Sequence, residues 1–127
     1  MKPFRAFFTA AILFAIFGIA SARAADLVRH VVCLKFKEGT SVADIKKIEA
    51  AFRDLKSKIS DRVLSLEWGT NVSRENKDKG FSHCFVLTFA DEKDISAYAV
   101  HPDHKAFGAL LGPVIEDVFV FDYHVKE

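Results

Sequence analysis

Between Val42 and Ile59 the apolar residues fall three and four apart, at Val42, Ile45, Ile48, Phe52, Leu55 and Ile59. On either side of that stretch they fall close to two apart. A period near 3.6 is one face of a helix, and a period of 2 is one face of a strand. The switch of period therefore commits the chain to alternate strands with helices. Lys and Glu fill the gaps between the apolar positions, so the helix is amphipathic and runs for about five turns. The segment "EGTS" (38–41) turns the chain into it. Ser41 stands where an N-cap belongs, with Asp44 three residues on as its capping-box partner.

The remaining elements follow from the same periods. "LVRHVVCLKFK" (27–37) reads as a strand with both faces mostly covered. "RVLSLEWG" (62–69) sets Leu64, Leu66 and Trp68 against Ser65 and Glu67, a half-exposed strand. "TNVSRENKDKG" (70–80) is polar and ends in Gly, so it is a loop. "FSHCFVLTF" (81–89) is the strongest strand pattern. Asp91 then caps a short helix whose inner side is Ile95, Tyr98 and Ala99. Pro102 disfavours the helical conformation in His101, and Pro itself suits the first turn of a new helix. "PDHKAFGALLG" is therefore a second short helix at a bend, closed by Gly112-Pro113. "DVFVFDYHV" (117–125) is the last strand.

The order is β-α-β-β-α-β with the second helix broken, a ferredoxin-like α+β pattern in which the first and third strands pair antiparallel at the centre. Helices cover one sheet face. Nothing in the chain is left to cover the other, so a second copy is expected there, giving a homodimeric α/β barrel.

The first residues are set apart from this pattern. Lys2 and Arg5 precede an uncharged apolar run from Ala6 to Ala20, which ends in "SARAAD". A basic start, an apolar run too short for a membrane span and an A-x-A site together read as a secretory signal peptide over 1–24, cut after Ala24. The domain is then 25–127, secreted or periplasmic, with no membrane attachment once cleaved. Cleavage removes Lys2, Arg5 and Arg23 and leaves 15 Lys and Arg against 17 Asp and Glu, a net charge of −2. A mildly acidic chain has no electrostatic footprint for nucleic acid.

The chemistry available is mostly imidazole. By strand alternation His30 shares a face with Val32, Leu34 and Phe36, and His83 shares one with Phe85, Leu87 and Phe89. Cys33 and Cys84 have the opposite parity and fall near each other if the strands pair centre to centre. The two Cys read as small hydrophobes or as a disulfide pair, with the first favoured. The plain alternative for any one His is a core residue satisfied by a backbone carbonyl. Two such His on apolar strands, with Tyr98, His101 and His104 at one corner, point instead to a pocket between the sheet and the broken helix. A neutral His could be a general base there, and Tyr98 a donor to a carbonyl oxygen that gains charge. A metal is the rival reading of His101-x-x-His104, but Pro102 spoils their helical spacing, and no HExxH, CxxC or acidic triplet accompanies them. No metal and no cofactor is expected; P-loop and GxGxxG motifs are missing from the sequence, and without GxSxG a Ser/His/Asp hydrolysis has no motif support.

The segments "RHVVCLKFK", "WGTNVSRENKDKGFSHCFVLTF" and "YAVHPDHKAFG…FVFDY" together resemble the stress-responsive dimeric A/B barrel (Dabb) family, from about residue 29 to 123. The resemblance implies a ferredoxin-like homodimer. Through a polyketide cyclase member of the family, it also implies an aldol-type chemistry with His104 as base and Tyr98 as its partner. By the same likeness His30 and His83 line the pocket, and Phe52 and Phe107 are expected in its apolar wall. That cyclase has a Tyr on its first helix. This chain has no Tyr between His30 and Trp68, and Phe52 falls near that place, so one hydroxyl is lost. Three readings follow: an exported binder of a small apolar or carbonyl-bearing ligand, a cofactor-independent cyclase or lyase, and a purely structural stress protein. The leader reading predicts that the exported chain starts at Ala25 on N-terminal sequencing, and a chain that keeps residues 1–24 after export contradicts it.

Overall fold

The computed structural model describes residues 26–127, so the expected signal peptide lies outside the described residues. The elements are β1 (Val28–Phe36), α1 (Val42–Lys58), β2 (Ser65–Thr70), β3 (His83–Phe89), α2 (Glu92–Ala99), α3 (Pro102–Leu111) and β4 (Ile115–His124). The four strands form one sheet in the order β2-β3-β1-β4, with every neighbouring pair antiparallel. This is the ferredoxin-like arrangement, with β1 and β3 at the centre. No helix among the described residues is long and apolar enough to cross a membrane.

Local chemistry sets the element ends. The Ser41 hydroxyl oxygen accepts the Asp44 N–H at 3.1 Å, and Asp44 in the first turn and Lys56 and Lys58 in the last complement the helix dipole. The buried stripe of α1 runs Ile48, Phe52 and Leu55. Val42, which shares their spacing, is 69% exposed, so the stripe starts later than the periodicity implies. β2 starts at Ser65 rather than Arg62, because the Arg62 and Val63 N–H groups donate back to the Ile59 carbonyl at 3.0 and 2.9 Å and hold 59–63 in a turn. β3 starts at His83 rather than Phe81 for a similar reason: the Phe81 N–H donates to the Asp78 carbonyl at 3.0 Å.

The two faces of the sheet differ. The inward rows of β1 and β3 pack under the helices, where Phe52 stacks on Phe85 with ring centroids 3.8 Å apart. Residues opposite one another in an antiparallel pair share a face. Val118, Val120 and Asp122 of β4 pair with Leu34, Val32 and His30, so they face the helices. Phe119, Phe121 and Tyr123 pair with Cys33, Val31 and Arg29 and face outward. They are 50%, 55% and 42% exposed in the single chain, three aromatic rings in a row on an open sheet face.

Candidate active site

The site grows from the corner between α2 and α3. After α2, His101 is extended at φ −63° and ψ 138°, the conformation that the following Pro imposes. Pro102 opens α3, where its missing N–H costs nothing. His101 caps the new helix: its Nδ1 accepts the Asp103 N–H at 3.1 Å. The turn folds the start of α3 back over the end of α2, and the His104 and Tyr98 rings meet at 4.5 Å.

His104 is held by one bond that also fixes its proton. Its Nδ1 lies 3.0 Å from the Ala99 carbonyl oxygen. A carbonyl can only accept, so Nδ1 carries the hydrogen and donates it. Nε2 keeps its lone pair. Burial lowers the His104 pKa below the ordinary 6.5; the Ala99 carbonyl pulls it up in part, and His30 and His101 push it down. The ring is therefore neutral at pH 7, the form a general base needs. Tyr98 is 1% exposed, and its burial raises the phenol pKa far above the usual value, so the phenol stays protonated as a donor.

Facing this corner is the inward row of the sheet edge. His30 Nδ1 lies 2.5 Å from Asp122 Oδ1. The carboxylate can only accept, so Nδ1–H donates to it in either charge state of the ring. The His30 ring meets Tyr98 edge-on at 5.8 Å and Phe89 at 6.0 Å. Between corner and sheet lies a cavity of about 260 Å³ whose walls include His30, Tyr98, His104, Phe52, Phe107 and Val120. That volume is near the lower end for ligand sites, so it suits a small molecule. Among the described residues no group of three or more His, Cys, Asp or Glu could hold a metal ion.

Five of the six residues expected at the site, His104, Tyr98, His30, Phe52 and Phe107, share this cavity. His83 is not brought to it. The register sets His30 opposite Leu87, four positions from His83, or about 13 Å along the strand. Both nitrogens of His83 are taken, Nδ1 by the Ser82 hydroxyl at 2.7 Å and Nε2 by Glu49 Oε1 at 2.9 Å. It is 7% exposed beside Trp68 and Phe36, a satisfied core imidazole. Asp122 is the residue that sequence reasoning passed over. Its signal is a carboxylate that breaks the inward row Val118, Val120 of β4, directly across from a His. Reading that signal requires the β1–β4 register.

The family model for the stress responsive A/B barrel domain matches residues 28–125. Stress-response A/B barrel domain-containing protein HS1 of Arabidopsis thaliana is 31% identical over 96 residues, covering 76% of this chain and 87% of that protein. Olivetolic acid cyclase of Cannabis sativa is 30% identical over 96 residues, covering 76% and 94%. Hydroxynitrile lyase from Passiflora edulis superposes with a TM-score of 0.74 at 27% identity, covering 81% of this chain and 96% of that one. A dimeric ferredoxin-like protein of unknown function from Jannaschia sp. CCS1 superposes at 0.67 with 25% identity, covering 78% and 99%.

The His104 geometry has a pH signature. Because its folded pKa is lowered, the unfolded chain binds the proton first. The stability His104 contributes is complete above 6.5 and is lost as pH falls through the folded midpoint. In a nitrogen-15 NMR titration, His104 is expected to titrate below 6.5 with the neutral proton on Nδ1. A midpoint at or above 6.5, or a neutral ring protonated on Nε2, contradicts it.

Proposed function

The chain belongs to the stress-responsive A/B barrel domain family, and on that footing we propose that it is a cofactor-independent lyase or cyclase of the aldol type. Its substrate is a small, largely apolar compound with a carbonyl or a masked carbonyl, held between β1, β4 and the α2–α3 corner. The observation that carries this reading is the His104 ring, fixed through Nδ1 on Ala99, neutral by burial and 4.5 Å from the Tyr98 ring.

The chemistry follows from those two groups. For a hydroxynitrile, His104 Nε2 takes the hydroxyl proton, the carbonyl forms and the carbon–cyanide electron pair leaves with cyanide. The imidazolium then returns its proton to the cyanide. For a cyclisation, Nε2 takes a proton from the carbon beside a carbonyl, the carbanion attacks a second carbonyl of the same molecule, and the imidazolium returns its proton to the alkoxide that forms. In both directions negative charge sits on a carbonyl-derived oxygen, and the Tyr98 hydroxyl is the donor that stabilises it. His30, paired with Asp122, walls the same cavity. Asp122 holds the His30 ring in one orientation. The similarity to a cyclase and to a lyase supports this common chemistry. His83 takes a structural role in this reading, and the leader expected over residues 1–24 supports a location outside the cytoplasm.

Binding without turnover is the second reading, favoured by the likeness to stress-response proteins named for no reaction. An aromatic hydroxynitrile such as mandelonitrile, with its aldehyde as a binding probe, separates the two. The wild-type protein is expected to release cyanide. His104→Ala should keep aldehyde affinity and lose about 10²–10⁴-fold in turnover. Unchanged turnover in that variant removes His104 as the base.

We further propose a homodimer closed through the outward aromatic row of β4, in keeping with the dimeric Jannaschia relative. Sedimentation at micromolar concentration should give twice the chain mass. Phe121→Lys, placing a charge in the middle of that row, should shift the protein to monomer. A wild-type monomer at that concentration overturns the dimer.

A further inference from the structure

The outward sheet face carries two thiols that the cavity chemistry leaves unused. Cys33 sits in the outward row of β1 and Cys84 in that of β3, directly opposite each other in the register. Directly opposed residues of an antiparallel pair have Cα atoms about 4.5–5.5 Å apart. A disulfide needs about 4.4–6.8 Å. Both thiols are free and only half-buried. Together they form part of the wall of an open cavity of about 550 Å³, completed by Phe81, Phe119 and the loop that includes Lys77 and Lys79. Two small hydrophobes packed for their own sake would be buried. These two are reachable by a small oxidant, and each stands directly opposite its partner.

We propose that Cys33 and Cys84 are a disulfide-forming pair that locks the two central strands of the sheet in an oxidising environment. This is independent of the role given to His104. The oxidant is a small disulfide such as oxidised glutathione. One cysteine thiolate attacks a sulfur of that disulfide, and one glutathione thiolate leaves. The second cysteine thiolate attacks the mixed disulfide at the protein sulfur and expels the other. The cysteines lose two protons and two electrons, and the oxidant becomes two thiols. Burial and the neighbouring thiol push the Cys33 pKa up to about 11, so little of it is thiolate at neutral pH and the folded pair exchanges slowly. The bond is therefore made during folding, before a second copy covers this face. Once formed it closes a loop that contains α1 and β2, which restricts the unfolded chain.

The test uses the mature chain, unfolded and reduced, then refolded by dilution into a mixture of reduced and oxidised glutathione and quenched with acid. The expected product has no thiol open to alkylation, a mass lower by two hydrogens and a proteolytic fragment joining Cys33 to Cys84 within one chain. Its Tm should exceed that of the dithiothreitol-treated protein by roughly 10 °C. The double variant Cys33→Ala/Cys84→Ala, which keeps small apolar side chains in the sheet, should fold and show no such difference. Two alkylatable thiols, glutathione adducts alone or a bond between chains overturns the proposal. A Tm difference that persists in the double variant overturns it as well.

Discussion

The pyrrolidine ring of Pro102 denies His101 the helical conformation, and the site depends on that one steric exclusion. A continuous helix from Glu92 to Leu111 would carry Tyr98 and His104 on along one axis. The break instead turns α3 back on α2. The His104 ring then reaches a carbonyl, that of Ala99, at the frayed end of α2, where the last carbonyls of a helix have no partner of their own. One hydrogen bond thus satisfies an orphan acceptor and fixes a tautomer. The same bend lets His101 cap α3 with its own ring, so the two His of one short motif have different tasks.

A second constraint is the parity of the strands. Each inward residue of β1 and β4 has an inward partner, so His30 and Asp122 meet under the helices, while Cys33 meets Cys84 on the far side. The sheet therefore separates two chemistries by its own thickness. Its helix side holds the His104 and His30 rings beside an apolar cavity. Its open side holds thiols and three exposed aromatic rings. A one-residue slip of β4 would exchange these faces, bringing Phe119, Phe121 and Tyr123 under the helices and removing Asp122 from His30.

His30 and His83 show how the same residue type on the same face reaches different ends. Both are under 9% exposed, and both have a carboxylate on one nitrogen. His83 also has a hydroxyl on its other nitrogen, so its hydrogen bonding is complete and it behaves as core. The cavity wall includes His30 and not His83. The difference lies in what surrounds each ring: Ser82 and Glu49 bond the nitrogens of one beside Trp68, while the bend of α2 and α3 leaves a cavity beside the other.

Much of the architecture was legible in the residues themselves. The change of period at Val42 and Ile59, the caps at Ser41 and Asp91 and the break at Pro102 are local signals, written within one helical turn or a few strand positions. The parity that sets His30 and His83 apart from Cys33 and Cys84 is local too. β2 starts three residues after its apolar pattern does, because the Ile59 carbonyl draws Arg62 and Val63 into a turn, and no composition signal marks that bond. What only the tertiary structure decided is which ring has a free nitrogen. His30 finds Asp122 across 92 residues of chain, and His83 finds Glu49 across 34. Those partners are set by strand register and by how helices lie on the sheet, which arise from the packing of the whole core, and residue spacing along the chain carries no record of them.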